Sequence, residues 1–432
     1  MTRFGKVLLV LGAIAIAILS FYLHTPFVAS LRAVLWWSSL GLSIGLFAIA
    51  LLGNLQSNTN VRDRSLLAIA TLSLTLFWGN EIQFQVQKYQ VLNANPAVLQ
   101  EFGQHFIVGY RNLSEAENLV KKGAVAGVFI TKRNIENKTK NEIKQEIAQL
   151  QKLRQENNLN PLWIATDQEG GIVSRLSPPL TLLPPISQIV ATAENEEILQ
   201  AEIEKYATIQ GQDLADLGIN LNFAPVVDLN KNIINPEDKY SKIYKRAISS
   251  DAEVVTKVAD WYCQTLAQYK VYCTLKHFPG LGRVTEDTHL KPAALATPIA
   301  VLQKEDWLPF RQLMQNPKTV TMLGHVNLTE LDADRAVSFS AEVVGKLLRE
   351  KWQYDGILIT DDFCMQAVYR SELGLKQATI AALNAGVDLI LIAYDPSLYY
   401  PAINAVLNAE KQGKINRDRV QSSQLRLQEF GL

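Results

Sequence analysis

The segment between residues 276 and 289 combines side chains that can move protons with side chains that can bind polar ligands. It holds Lys276, His277, two glycines, and Asp287 two residues before His289. Because residues i and i+2 of an extended segment project to the same side, Asp287 can hold one imidazole nitrogen of His289 while the other faces a substrate. This is the arrangement of an oriented general acid/base. The alternative is a polar loop whose aspartate only caps a turn.

The elements that must position these residues are short apolar runs separated by amphipathic stretches, beginning near residue 100. The period-3.6 stretches predict helices, and the apolar runs predict buried strands of a parallel sheet. Eight strands with intervening helices predict one TIM-like (β/α)8 barrel over residues 100–432. The predicted strands are 104–109, 127–131, 162–166, 220–225, 271–275, 319–323, 356–360 and 387–392; the main predicted helices are 138–157, 193–217, 252–269, 341–351, 375–385 and 417–429.

Polar residues follow several of these strands directly. Asp167, Asp228, His325 and the pair Asp361-Asp362 each stand at the end of an apolar run. In a (β/α)8 barrel the carboxyl ends of the strands converge on the active-site face. A single aspartate at such a place is usually a loop cap, but acids and histidines from different strands predict a shared pocket.

The expected chemistry is a two-step displacement at a carbon that becomes cationic. Asp361 would attack this carbon while His289, held by Asp287, protonates the departing oxygen. Asp362 is expected to act as a helix N-cap. Charge-assisted hydrogen bonds from further residues would hold ring hydroxyls; these residues are Asp167, Arg175, Arg246, Lys276 and His277.

Composition excludes several other classes of function. Lys+Arg and Asp+Glu are balanced at 42 each, so there is no basic field for nucleic acid. The chain has no metal-binding or nucleotide-binding motif, so neither a metal nor another cofactor is expected.

The three cysteines, Cys263, Cys273 and Cys364, lie in largely apolar stretches. Buried free thiols are therefore expected rather than a disulfide framework.

The first 80 residues differ in kind from the remainder. Apolar runs at 7–23, 35–52 and 66–78 predict a membrane anchor of two to three transmembrane helices, followed by a linker at 81–99. A cleaved signal peptide is the alternative for the first run, but two further apolar runs follow it directly.

The distribution of basic residues predicts the orientation of this anchor. Arg3, Lys6, Arg62 and Arg64 outnumber Arg32, which assigns the N-terminus to the cytoplasmic side. Three spans then place the barrel outside the cytoplasmic membrane of a bacterium. If the third run does not cross the membrane, the barrel lies on the cytoplasmic side instead.

Several ordered motifs resemble one family. The segment KHFPGLG (276–282) followed by DTH (287–289) is similar to the signature of glycoside hydrolase family 3, in its single-domain β-N-acetylhexosaminidase branch. The resemblance covers most of residues 100–430 and includes TDQEGG (166–171), NFAPVVD (222–228), EDWLPF (305–310) and GILITDD (356–362). It departs at Leu281, where the signature often has histidine, and at Ile172, where arginine commonly follows Glu-Gly-Gly.

The resemblance implies roles for individual residues. Asp361 matches the nucleophile, His289 the acid/base and Asp287 its partner. The residues that match positions holding an N-acetylglucosamine ring are Asp167, Arg175, Arg246, Lys276 and His277, with Arg246 in a loosely matching segment. The family retains the β configuration through a covalent glycosyl-enzyme and uses no metal.

The leading hypothesis is an exo-β-N-acetylglucosaminidase that acts on peptidoglycan fragments or chitooligosaccharides. Two alternatives stay open at this point. A neutral histidine repels an anionic acceptor less than a glutamate does, so phosphate could replace water and make the protein a phosphorylase. A membrane-bound sugar-binding protein without turnover is the other alternative, although Asp287, His289 and Asp361 are all present.

Overall fold

The computed structural model describes residues 3–56 and 61–430. The chain divides into two compact units, of which one comprises the residues up to Ala94 together with Ser397–Asn404, and the other comprises Asn95–Pro396 and the residues from Ala405 onward. Within the described part, the first unit has three long helices, α1 (Arg3–Tyr22), α2 (Arg32–Gln56) and α3 (Val61–Leu92), with a short 3-10 turn at Pro26–Val28.

All three helices are long and apolar enough to cross a membrane. Side chains of these helices contact one another near both ends. Near one end, Leu9 of α1, Ala50 of α2 and Leu66 of α3 pack in one apolar cluster. Near the other end, Glu81 of α3 accepts a hydrogen bond from the indole of Trp36 on α2 at 3.0 Å. Residues 66–81 of α3 therefore run alongside both other helices, and α3 continues as a helix through most of the segment expected to be a linker, 81–99.

Eight parallel strands form the central sheet within the described residues. Neighbouring strands pair in the order β7-β6-β5-β4-β3-β2-β1-β8, and a parallel bridge between Ile359 and Leu389 joins β7 to the segment entering β8. The sheet is thus a nearly closed barrel of the TIM-like α/β type, as predicted. The strands are β1 (Phe106–Gly109), β2 (Gly127–Ile130), β3 (Trp163–Thr166), β4 (Leu221–Asn222), β5 (Tyr272–Phe278), β6 (Thr319–Leu323), β7 (Ile357–Thr360) and β8 (Ile390–Ile392).

Each strand forms where the sequence predicts it, because short runs rich in Val, Ile, Leu and Phe suit strands buried on both faces. Every residue of β1, β2, β3 and β7 is buried. The rings of Phe129 on β2 and Phe223, just after β4, stack in the apolar core with their centroids 5.6 Å apart.

Helices connect and surround the strands. The helix that precedes β7 is a π-helix, Ala341–Lys351, and short 3-10 turns lie at Val337–Phe339 and Pro396–Leu398. An antiparallel pair, Gln168–Gly170 with Val173–Ser174, follows β3, and a parallel pair, Ala293–Leu295 with Val326–Leu328, lies outside the barrel. The α-helices are α4 (Pro96–Gly103), α5 (Leu113–Lys121), α6 (Lys132–Ile135), α7 (Lys140–Glu156), α8 (Ile186–Thr192), α9 (Glu196–Leu217), α10 (Ile243–Arg246), α11 (Ala252–Gln268), α12 (Ile299–Lys304), α13 (Trp307–Leu313), α14 (Gln366–Tyr369), α15 (Gly374–Ala385), α16 (Tyr399–Lys411) and α17 (Arg417–Glu429).

The expectation of three free thiols is wrong for two of them. Cys263 on α11 and Cys273 on β5 form a disulfide, with their Cα atoms 5.4 Å apart. Helix α11 leads directly into β5 and packs against it, and this brings two apolar cysteines ten residues apart into bonding distance. Cys364 is the buried free cysteine among the described residues.

Candidate active site

The predicted site residues come from the carboxyl ends of different strands and from the loops that follow them. Asp167 follows β3, Lys276 and His277 lie within β5, and Asp361 follows β7. Because all these strands are parallel, their carboxyl ends lie at one end of the barrel. The other side chains of this site come from the loops after β3, β4, β5 and β6.

A buried lysine joins two acids from the loop after β3. Lys276 is 2% exposed, and its Nζ lies 2.7 Å from Asp167 Oδ1 and 2.5 Å from Glu169 Oε1. A buried ammonium group requires such partners, since an unpaired charge costs several kcal/mol in a protein interior. The side chain of Asp167 keeps 18% of its surface exposed, so it can also bind a ligand.

Glu169 is also the partner of Arg246, which lies at the end of the short helix α10. The guanidinium group donates from Nε to Oε2 at 2.9 Å and from Nη2 to Oε1 at 2.6 Å, and Nη1 donates to the carbonyl oxygen of Ser241 at 2.8 Å. Burial alone would raise the pKa of Glu169, but the charges of Arg246 and Lys276 outweigh it and hold this pKa far below its ordinary value. The carboxylate is therefore ionised at neutral pH.

His277 is held by a second buried acid, which follows β4. Its Nδ1 lies 2.7 Å from Oδ2 of Asp228, and Oδ1 of Asp228 accepts the backbone N–H groups of His277 and Leu281 at 3.0 and 2.7 Å. This leaves Nε2 of His277 directed away from Asp228, 3.5 Å from Nη2 of Arg246. The backbone of Leu281, one of the departures from the family signature, thus helps to orient His277.

Asp287 and His289 are hydrogen-bonded through their side chains. Nδ1 of His289 lies 2.9 Å from Oδ1 of Asp287, and the backbone N–H of His289 donates to the same oxygen at 3.0 Å. Burial would raise the pKa of Asp287, but the hydrogen bond and charge of His289 lower it to about 2. The imidazole is 39% exposed whereas Asp287 is buried, so Nε2 is free to face a ligand.

The Asp287 carboxylate is fixed from a second loop, the one that follows β4. Its Oδ2 accepts the backbone N–H groups of Lys239 and Tyr240 at 3.1 and 3.0 Å. The hydroxyl group of Ser241 donates to Oδ1 at 3.1 Å and lies 3.5 Å from Nδ1 of His289. We refer to Asp287 and His289 as the dyad and to residues 239–241 as the dyad clamp. The hydrogen-bond donors of the clamp leave the Asp287 carboxylate little freedom to rotate.

The loop after β5, which carries Asp287 and His289, contacts the start of α14, the helix that follows β7. Backbone N–H groups of Gln366 and Ala367 donate to the carbonyl oxygens of His289 and Thr288, both at 3.2 Å. Gln366 lies five residues after Asp361, so this contact brings the imidazole to the same end of the barrel as Asp361.

Asp361 lies among imidazole groups. Burial would raise its pKa, but the nearby His277, His325 and His289 lower it below its ordinary value. His325 is itself buried, with its Nδ1 2.7 Å from the hydroxyl oxygen of Ser338, and burial lowers its pKa. Asp361 is therefore an ionised carboxylate that is partly withdrawn from water, which is the state a nucleophile requires.

Asp362 and Arg175 are less closely tied to this arrangement. The Asp362 carboxylate accepts backbone N–H groups of Cys364, Ala393 and Tyr394 at 2.8–3.0 Å, so it joins the loops after β7 and β8. It caps a turn and not a helix. Arg175 lies at the edge of the site, with its side chain 49% exposed and Nε 3.8 Å from Asp167 Oδ2.

Three residues of this site had no individual role assigned from the sequence, although Asp228 was among the strand-end acids expected to share the pocket. Glu169 bridges Lys276 and Arg246, Asp228 orients His277, and Ser241 contacts the dyad. Asp228 was detectable as an acid that follows a strand. Glu169 was detectable only as part of the TDQEGG segment, and no local pattern marks Ser241. Among the described residues, no group of three or more His, Cys, Asp and Glu side chains is arranged to hold a metal ion.

Comparison with known proteins identifies similar sequences. The glycosyl hydrolase family 3 N-terminal domain matches residues 97–430. A protein of Xylella fastidiosa (strain M12) named beta-hexosaminidase is 34% identical over 285 residues, which are 66% of this chain and 80% of that protein. A beta-hexosaminidase of Xanthomonas axonopodis pv. citri (strain 306) is 30% identical over 301 residues, which are 69% of this chain and 85% of that protein.

Solved structures give the same result. A glycoside hydrolase family 3 β-N-acetylglucosaminidase from Paenibacillus sp. str. FPU-7 superposes with a TM-score of 0.70 at 29% identity, covering 77% of this chain. The match spans 61% of that protein's own length. A β-N-acetylhexosaminidase from Beutenbergia cavernae superposes with a TM-score of 0.67 at 28% identity, covering 79% of this chain and all of the other.

Proposed function

Since this chain belongs to glycosyl hydrolase family 3, we propose that it is an exo-acting β-N-acetylglucosaminidase that retains the β configuration. The relatives named beta-hexosaminidase and the β-N-acetylglucosaminidase structures support a glycoside hydrolase that releases N-acetylglucosamine. The observation that supports the proposal is that Asp361 and the hydrogen-bonded pair Asp287-His289 lie at one end of the barrel, where His289 helps to lower the pKa of Asp361.

The first step forms a covalent glycosyl-enzyme. A carboxylate oxygen of Asp361 attacks the anomeric carbon and forms a bond to it, while the bond from this carbon to the glycosidic oxygen breaks. Nε2 of the protonated His289 gives its proton to that oxygen, so the leaving group departs as a neutral alcohol. Asp287 keeps Nδ1 protonated and stabilises the positive charge of the imidazole before transfer.

The second step releases the sugar. A water molecule attacks the anomeric carbon and gives one proton to Nε2 of His289, and the bond to Asp361 breaks. Two inversions at the same carbon restore the β configuration. The charges are the same before and after the cycle, and no cofactor takes part in either step.

Sugar hydroxyl groups would bind to side chains whose positions are already fixed. Lys276, Arg246 and Asp167 interact with one another or with Glu169, and His277 is oriented by Asp228. Groups that are held in place before binding lose little entropy when a ligand arrives. Arg175 would contribute less, since its side chain is half exposed.

The three apolar helices support a membrane anchor with the barrel outside the cytoplasm. Because residues 66–81 of α3 run alongside α1 and α2, a bilayer that contains two of the helices contains the third as well. Three passes put the barrel on the side opposite Arg3 and Lys6. The disulfide between Cys263 and Cys273 favours the same side, because such bonds persist in oxidising compartments.

This placement favours substrates met outside the cytoplasm, namely peptidoglycan fragments or chitooligosaccharides. Protease added to intact spheroplasts tests it. Digestion of the barrel in intact spheroplasts is the expected result. Protection of the barrel until the cells are lysed would contradict the outward placement.

Turnover of an aryl β-N-acetylglucosaminide by the full-length protein in detergent tests the activity. We expect Asp361→Ala to abolish turnover and a fluorinated N-acetylglucosaminide that keeps its 2-acetamido group to label Asp361 covalently. The matched control is the neighbouring Asp362, which is expected to remain unlabelled. Labelling of Asp362 or of a glutamate would contradict the assignment of the nucleophile. Product analysis with and without phosphate separates hydrolysis from phosphorolysis, since only a phosphorylase releases the sugar 1-phosphate.

A further inference from the structure

An exposed aromatic ring lies beside the imidazole of His289. The ring of Tyr240 has its centroid 5.5 Å from that of His289, with the two planes tilted by 46°. The tyrosine is 58% exposed, although the residues immediately around it, Ser241 and Asp287, are buried. Most of the ring is therefore available to a ligand and contributes little to the core.

The backbone of Tyr240 is fixed to the same carboxylate that orients the imidazole. Its N–H donates to Oδ2 of Asp287 at 3.0 Å, and the next residue, Ser241, donates to Oδ1 at 3.1 Å. The tyrosine ring and the imidazole are thus held at one carboxylate, from two different loops. The backbone of Tyr240 is thus positioned by Oδ2 of the carboxylate whose Oδ1 orients the imidazole of His289.

We infer that Tyr240 binds the first sugar of the leaving group by stacking on it. This inference rests on the proposed function and names a specificity residue for the same site. Nε2 of His289 must reach the glycosidic oxygen, so the ring that departs with this oxygen lies next to the imidazole on its solvent side. Tyr240 is an exposed ring directly beside that imidazole, and the apolar C–H face of a pyranose is complementary to an exposed aromatic face. The preferred leaving group is therefore a saccharide.

Two substrates that both have poor leaving groups separate stacking from proton transfer. N,N'-diacetylchitobiose departs as a sugar ring, whereas methyl β-N-acetylglucosaminide departs as methanol, and both need protonation by His289. With the full-length protein in detergent, we expect Tyr240→Ala to lower kcat/KM roughly five- to tenfold for the disaccharide and less than about twofold for the methyl glycoside. Tyr240→Phe should retain both activities, because the phenyl ring still stacks.

Ile234→Ala is the matched control, since Ile234 lies in the same loop and is 67% exposed. It should leave both substrates unaffected. Equal losses on the two substrates in Tyr240→Ala would show that the ring acts through His289 and would overturn the inference, as would no loss on either. In both cases a wild-type protein that hydrolyses the disaccharide leaves the proposed function standing. A wild-type protein that hydrolyses neither substrate overturns the proposed function and this inference with it.

Discussion

Arg246 binds both carboxylate oxygens of Glu169 through two of its guanidinium nitrogens, at 2.9 and 2.6 Å. The two side chains are 7% and 6% exposed, so the pair is almost completely withdrawn from water. Lys276 contacts the same carboxylate, so one negative charge stabilises two buried cations. The Glu169 carboxylate therefore joins three segments at this end of the barrel, namely the loop after β3, strand β5 and helix α10.

We therefore expect Glu169→Gln to destabilise the barrel by about 3 kcal/mol, because it leaves two buried cations partly unpaired. Denaturant unfolding of the full-length protein measures this change. Glu305→Gln is the matched control, since Glu305 also pairs with two cations, Lys231 and Arg283, but is 45% exposed. Its effect should be below about 1 kcal/mol. Equal destabilisation by the two variants would show that burial of the Glu169 network contributes nothing.

Replacement of His289 should affect substrates according to their leaving groups. His289→Ala removes the proton donor, so we expect a loss of about 100-fold or more in kcat/KM for disaccharides. An activated aryl glycoside needs little protonation in the first step, and its loss should be much smaller at that step. Steady-state kinetics on both substrates checks this, with His24→Ala, which lies in the other unit, as the control. Losses of the same size on both substrates would contradict the acid/base role.

Asp287 links stability to pH. Its pKa falls from 3.8 to about 2 on folding, so the folded state favours the ionised carboxylate. Its contribution to the free energy of unfolding is complete above the unfolded pKa and is lost as the pH falls through 3.8 towards 2. Asp287→Asn should consequently lose less stability than the wild type over this acid range. Unfolding measured at a series of pH values checks this, and the exposed Asp334→Asn should behave like the wild type.

The number of reactive thiols reports whether the disulfide has formed in the cell, and therefore on which side of the membrane the barrel lies. If the barrel lies outside the cytoplasm, denatured but unreduced protein isolated from cells should react with alkylating reagent at Cys364 alone. After reduction, all three cysteines should react, and mass spectrometry counts the added groups. Three modified cysteines before reduction would indicate a reducing compartment. Cys263→Ala should increase the unreduced count from one to two, because Cys273 then lacks its partner.

The strands were predictable because their signal is local. Apolar runs of four to six residues, such as Thr319–Leu323, pack into a buried parallel sheet wherever helical stretches separate them. The dyad was predictable for a similar reason, since Asp287 and His289 are two residues apart and their hydrogen bond depends on the conformation of one short loop. The roles of these residues in catalysis stay predictions.

Contacts between distant segments were decided only by the tertiary structure. Glu169 joins Lys276 and Arg246, which lie 107 and 77 residues away along the chain. The pairing of Cys263 with Cys273 depends on how α11 packs against β5, and three apolar cysteines alone gave no reason to expect it. The same holds for Tyr240, whose sequence neighbourhood is an ordinary polar loop.

The sequence by itself thus determined which segments become strands and which residues stand at their ends, because the burial of apolar runs follows from local pattern. The closure of the barrel determined which of these ends meet. Charges from separate segments become partners only once they are buried together, because an isolated buried charge is too costly to remain unpaired. Glu169 and the dyad clamp, residues 239–241, therefore acquire their functions from the tertiary structure.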